Sequence, residues 1–166
     1  ECNANFVYLQ LKASQIIITG RTKHFLSLVG EHLSVDNMNK AIEMVSEQMN
    51  VFIPEFTVAG VPYGNFFAHE WFLASDDKAD EQTLAEKIDA NLKQLNDDYE
   101  VERNHALKNI SVKLLPEKAF MDFMEARGKI GGQHKFPRVL KGKILNEWQD
   151  FVATYTKPEN NYPVIK

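Results

Sequence analysis

The stretch "EFTVAGVPYGNFFAHEWFLA", residues 55–74, decides how this chain folds. Two nine-residue runs, rich in aromatic and β-branched residues, flank the turn sequence Tyr63-Gly64-Asn65. Pro54 stands just before the first run. Strand-forming runs joined by a glycine-containing turn predict an antiparallel hairpin. Upstream, "SVDNMNKAIEMVSEQM" (34–49) places Val35, Met38, Ile42, Val45 and Met49 at helical spacing behind Ser34, a suitable N-cap. Further upstream, "SQIIITG" (14–20) reads as a buried strand and "HFLSLVG" (24–30) as its hairpin partner or a kinked continuation.

Downstream of the hairpin, Leu84, Ile88, Leu92, Leu95 and Tyr99 recur at helical spacing after the polar linker of Asp76, Asp77 and Asp80. They predict one long amphipathic helix. "NISVKLL" (109–115) is a strand stopped by Pro116. "EKAFMDFMEARG" is a short helix with Gly128 as its C′ residue. "GKILNEWQDFVATY" (142–155) is a final helix. The order contains βαββαβ and then further helices. It predicts an α+β fold, a ferredoxin-like sandwich with helices on one face of a mostly antiparallel sheet.

Composition sets wide bounds. The 166 residues are 44% hydrophobic and 11% aromatic, which suits one domain with a real core. The single cysteine, Cys2, excludes an internal disulfide or a cysteine-based metal framework. No apolar run approaches the roughly 18 residues of a membrane span, and no leader pattern is present. A soluble cytoplasmic protein without membrane partners is the expectation. The net charge of −4 argues against general nucleic-acid coating.

Against that acidic background, "RGKIGGQHKFPRVLKGKI" (127–144) carries six cations, Arg127, Lys129, Lys135, Arg138, Lys141 and Lys143, and no acid. Its glycines allow close backbone approach to a ligand, and a lysine on such a loop can engage a phosphate or carboxylate. "GKIG" matches the GxxG of KH-type RNA-binding loops, but Pro137 interrupts the helix that should follow. Other chemistry is scarce. His24, His32, His69, His105 and His134 form no metal-binding pattern. His69 and Glu70 are neighbours on a strand, so they point to opposite faces. No nucleophile elbow or phosphate loop of the GxxxxGK[ST] form appears.

Two segments together carry a family likeness. "ITGRTKHFLSLVGEHLSVDNMNKAI" (18–42) resembles the hinge motif of the adenylate-forming superfamily of acyl-CoA synthetases, luciferase and peptide-synthetase adenylation domains. "GGQHKFPR" (131–138) is similar to a signature of the auxin-responsive (Gretchen Hagen-type) acyl acid–amido synthetases. "AHEWFL" and "DANLKQLNDDYEVER" look like bacterial members of that family.

The resemblance implies that residues 1–166 are a single C-terminal lid domain. It would have a hinge segment at about 15–30, a mobile basic loop at 128–141 and a loose tail at 157–166. The N-terminal adenylation domain, its partner, would lie outside this chain and bind most of the ATP and Mg²⁺. The implied reaction joins an acyl acid to an amine, often an amino acid, through an acyl-adenylate. The isolated chain would be inactive.

By position, Lys135 matches the adenylate-contacting lysine, with Lys143 as its rival because other branches of the superfamily use a late Gly-Lys pair. Arg21 matches the arginine that contacts the nucleotide ribose. His134 stands where an aromatic residue beside the adenylate is usual. Lys23 matches the hinge residue, in place of the commoner aspartate. Most of the basic segment's charge would then serve approach to a polyphosphate. The competing reading is a non-catalytic ferredoxin-like module that binds an anionic small molecule through the same loop.

Overall fold

The hairpin predicted at 55–74 is the centre of the sheet. The computed structural model describes residues 25–128 and 135–155. Strands β1 (Glu55–Tyr63) and β2 (Phe66–Ala74) pair antiparallel along their whole length, from Glu55 with Ala74 to Tyr63 with Phe66. Gly64, at φ +60°, and Asn65 make the two-residue turn. Helix α1 (Val35–Met49) starts where Ser34 predicts. The Ser34 hydroxyl accepts the Asn37 N–H at 3.1 Å, and the Asn37 side chain accepts the Ser34 N–H at 3.1 Å.

The predicted long helix is two. Helix α2 (Glu81–Leu95) and helix α3 (Asp97–His105) are separated at Asn96, whose backbone is extended. The apolar spacing continues across the break, so periodicity could not reveal it. One polar contact from another element and one local cap stand at the break. The Asn37 amide donates to the Leu95 carbonyl at 3.3 Å, and the Asn96 side chain accepts the Tyr99 N–H at 2.7 Å. Strand β3 (Leu107–Leu115), helix α4 (Glu117–Ala126), a two-residue strand β4 (Val139–Leu140) and helix α5 (Gly142–Tyr155) complete the order. Only β4 was absent from the expected elements.

The α+β class is as expected, but two details of the sandwich differ from expectation. The sheet order is β3-β2-β1-β4, with the antiparallel hairpin flanked by parallel partners on both sides. Helices also cover both faces. Phe56, Val58, Trp71 and Leu73 meet α1, α2 and α3, whereas Ala59, Phe72 and Ala74 meet α4 and α5. The reason is visible in the strands themselves. Residues 56–59 and 71–74 are buried without alternation, and a strand buried on both sides needs cover on both sides.

The strand predicted at 24–30 is instead part of a loop. Leu26 and Leu33 make a single antiparallel bridge, with both N–H···O bonds at 2.9 Å. Gly30 at φ +123° and His32 at φ +38° turn the chain back between them. The strand predicted at the "SQIIITG" segment lies outside the described residues, as does the tail from residue 156.

Candidate functional site

The basic segment is built from two anchors around an exposed lysine. Helix α4 ends at Ala126 with Arg127 as its C-cap, and Gly128, at φ +69°, donates its N–H to the Glu125 carbonyl at 2.8 Å. That is the predicted C′ role. Lys135 is exposed, and no ion pair involves it among the described residues. Directly after it, Phe136 is buried in an aromatic cluster, its ring 4.8 Å from Phe120 and 5.0 Å from Trp148. The Thr57 hydroxyl then donates to the Pro137 carbonyl at 2.7 Å, and the Val58 N–H donates to the Arg138 carbonyl at 2.9 Å. Lys135 thus emerges from a backbone strapped to the edge of β1.

The remaining cations divide by partner. The Arg138 guanidinium lies 4.3 Å from the centre of the Phe56 ring, donates to the Phe56 carbonyl at 3.0 Å and pairs with Glu55. Arg127 pairs with Glu147 and lies over Phe123. Both arginines are structural, so less of the segment's charge is available to a ligand than the bare sequence suggests. Lys143, on the first turn of α5, reaches Glu147 at 3.7 Å. Lys141 donates to the Phe25 carbonyl at 3.4 Å. Lys135 precedes β4 and Lys143 follows it, so the two rivals leave opposite ends of the same strap. Arg21, Lys23 and His134 lie outside the described residues.

A buried polar pair escaped the sequence reading. The Glu31 carboxylate and His69 Nε2 meet at 3.1 Å, and both side chains are wholly buried. The same carboxylate accepts the Leu28 N–H at 2.9 Å and the Val29 N–H at 3.0 Å. His69 faces α2 and α3, while Glu70 on the other face accepts from Gln149 at 2.8 Å. The opposite-face expectation for these neighbours therefore holds. The partner that matters is 38 residues away in sequence, and only a lone glutamate after Gly30 hinted at it.

Burial alone would raise the Glu31 carboxyl. The bonds from His69, from the Val29 and Leu28 N–H groups and from its own N–H outweigh it and bring the group to about 2. Burial pushes His69 down, against the pull of Glu31 and with the help of Arg103. Both groups bind fewer protons folded than unfolded, so stability is complete above about pH 6.5 and falls with acid. His69 acts first, below its unfolded value near 6.5, and Glu31 adds a further loss between its ordinary 4.5 and about 2. Urea midpoints should fall between pH 7 and pH 5, and His69→Gln should flatten that part of the curve.

Among the described residues, no group of three or more His, Cys, Asp or Glu side chains is placed to hold a metal ion. No helix there is long and apolar enough to cross a membrane.

A sheet covered on both faces, with a lysine presented at its edge by a clamped loop, defines a small α+β domain that offers a cation outward. Residues 36–143 match the model of the GH3 family C-terminal domain, and the chain belongs to that family. Solved structures share the fold, two of them described as acyl acid amido synthetases. One is "AtGH3.15 acyl acid amido synthetase in complex with 2,4-DB", 19% identical with a TM-score of 0.62, covering 92% of this chain and 29% of that one. The other is "GH3.15 acyl acid amido synthetase", 17% identical with a TM-score of 0.67, covering 86% and 26%. The chain therefore spans less than a third of the length of the proteins it resembles. No curated protein matches it significantly by sequence.

Proposed function

We propose that this chain is the lid domain of an ATP-dependent acyl acid–amido synthetase, with Lys135 as its adenylate-contacting cation. The observation that carries the reading is the placement of Lys135. It is an exposed ammonium on a backbone held by the burial of Phe136 and the bonds at Pro137 and Arg138. The family match and the fold shared with two acyl acid amido synthetases support it.

The reaction has two steps. A carboxylate oxygen attacks the α-phosphorus of ATP, forming an acyl–phosphate bond as the bond to pyrophosphate breaks. An amine nitrogen then attacks the acyl carbon, AMP leaves with the electron pair of the C–O bond, and the amine loses a proton to give the amide. Both steps increase negative charge on phosphate oxygens, and a positioned ammonium stabilises that charge. A lysine on a lid can also withdraw, which lets the second substrate enter. Arg21 would hold the ribose, His134 would lie beside the adenylate, and Lys23 would be the pivot. Mg²⁺ would assist at the phosphates, but the described residues offer it no ligand set. ATP, Mg²⁺ and the acyl acid would be held mainly by the enzyme's own N-terminal adenylation domain, in the cytoplasm, where ATP is supplied.

The full-length polypeptide that carries this domain should exchange labelled pyrophosphate into ATP only when a carboxylic acid is present. It should form an amide when an amino acid is added, and residues 1–166 alone should do neither. Exchange by the isolated chain, or thioester formation in place of the amide, would overturn the reading.

A further inference from the structure

A pivot confines motion to a few residues only if the chain on either side of it is stiff. Residues 25–33 are held at several points. The Phe25 carbonyl accepts from Lys141 at 3.4 Å. Leu26 and Leu33, both fully buried, close the loop between them. Leu28 lies on Gly60 of β1 so closely that a Cβ there would stand 2.3 Å from it. Such a contact fixes the loop against the sheet, and Gly60 pairs across the hairpin with His69.

The turn of this loop, from Leu28 to Glu31, has no strand beside it to take its N–H groups. The Glu31 carboxylate takes those of Leu28 and Val29 and turns inward to His69. A carboxylate buried at 0% exposure is retained only where hydrogen bonds replace its water. Here they tie the loop to itself and to the central strand β2 at once. The His69 Nδ1 atom has no hydrogen-bond partner in the core, so the ring's polar contact is made on the Nε2 side, with Glu31.

We propose that the Glu31–His69 pair is a positioning device that makes residues 25–33 part of the rigid domain, so that this loop turns with the sheet as one body when the lid moves. This inference rests on the lid reading for its functional consequence, but not for the clamp itself. Without the pair, residues 25–33 would shift against the sheet. The lid would then lose orientation in its closed poses, while substrates held by the other domain would bind as before.

The test uses the full-length polypeptide with Glu31→Gln, His69→Leu and His69→Gln. Glutamine at position 31 keeps one acceptor oxygen where the carboxylate has two, so either the two N–H groups or the His69 N–H meets a donor; leucine at 69 removes the donor, and glutamine at 69 keeps one. In Glu31→Gln and His69→Leu, amide hydrogen exchange at Leu28 and Val29 should accelerate at least about tenfold, with the β1–β2 hairpin amides unchanged. The kcat for amide formation should fall roughly ten- to a hundredfold, with KM for ATP and acid within about twofold. His69→Gln should retain most of both properties. If Glu31→Gln does not fold, the two His69 variants carry the comparison.

Unchanged exchange at Leu28 and Val29 would overturn the clamp. Faster exchange with unaltered kcat would overturn its positioning role. A wild-type polypeptide without acid-dependent pyrophosphate exchange would overturn the lid reading, and the positioning role with it, while the amide-exchange comparison would still decide the clamp.

Discussion

Lys135→Ala in the full-length polypeptide is expected to lower acid-dependent ATP–pyrophosphate exchange by about 10²–10³-fold, the usual cost of removing one preorganised charge-stabilising donor. Lys143→Ala should change it by less than about threefold. The distinction rests on support. The backbone that follows Lys135 is anchored by a buried ring and two hydrogen bonds, so the point from which its side chain leaves is fixed before any ligand arrives. Lys143 stands at the far end of the β4 strap, on the side where Lys141 meets Phe25, and shares Glu147 with Arg127. An exposed pair of this i,i+4 kind is worth only tenths of a kcal/mol, so loss of Lys143 should leave the fold intact. Wild-type exchange in Lys135→Ala together with a large loss in Lys143→Ala would reverse the assignment.

Phe136→Ala should destabilise the chain by about 3–5 kcal/mol, as seen when a buried aromatic ring is truncated. The ring is surrounded by Phe120, Phe123 and Trp148, so its removal leaves a cavity among them. Urea unfolding of the chain checks the loss. Phe136→Leu, which keeps more of the volume, should cost clearly less. The same substitution bears on function, because Phe136 is the anchor next to Lys135. In the full-length polypeptide at a temperature where Phe136→Ala remains folded, pyrophosphate exchange should fall even though no charge has been removed. Stability close to wild type would show that the cluster does not hold the strap.

Much of the domain is legible in its sequence because its elements are locally coded. The Gly64-Asn65 turn, the Ser34 cap, the stop at Pro116 and the C′ glycine at 128 each require only a few neighbouring residues, and each forms where its pattern stands. Helix α5 spans the predicted "GKILNEWQDFVATY". The likeness that points to Lys135 is also a linear feature, a short signature read along the chain.

What the sequence alone determined is therefore the hairpin, the helices' apolar faces and the α+β class. The tertiary structure alone decided the rest. It laid the Asn37 amide of α1 on the Leu95 carbonyl where the long helix breaks, beside the local Asn96 cap that starts α3. It placed helices on both faces of the sheet and added β4 by laying residues 137–140 along β1. It withdrew Arg127 and Arg138 into ion pairs and left Lys135 exposed. It joined Glu31 to His69 across 38 residues. Turns, caps and amphipathic spacing arise from contacts within one or two turns of chain. Strand order, ion pairing and the burial of a carboxylate depend on residues far apart in sequence, which meet only when the sheet has formed.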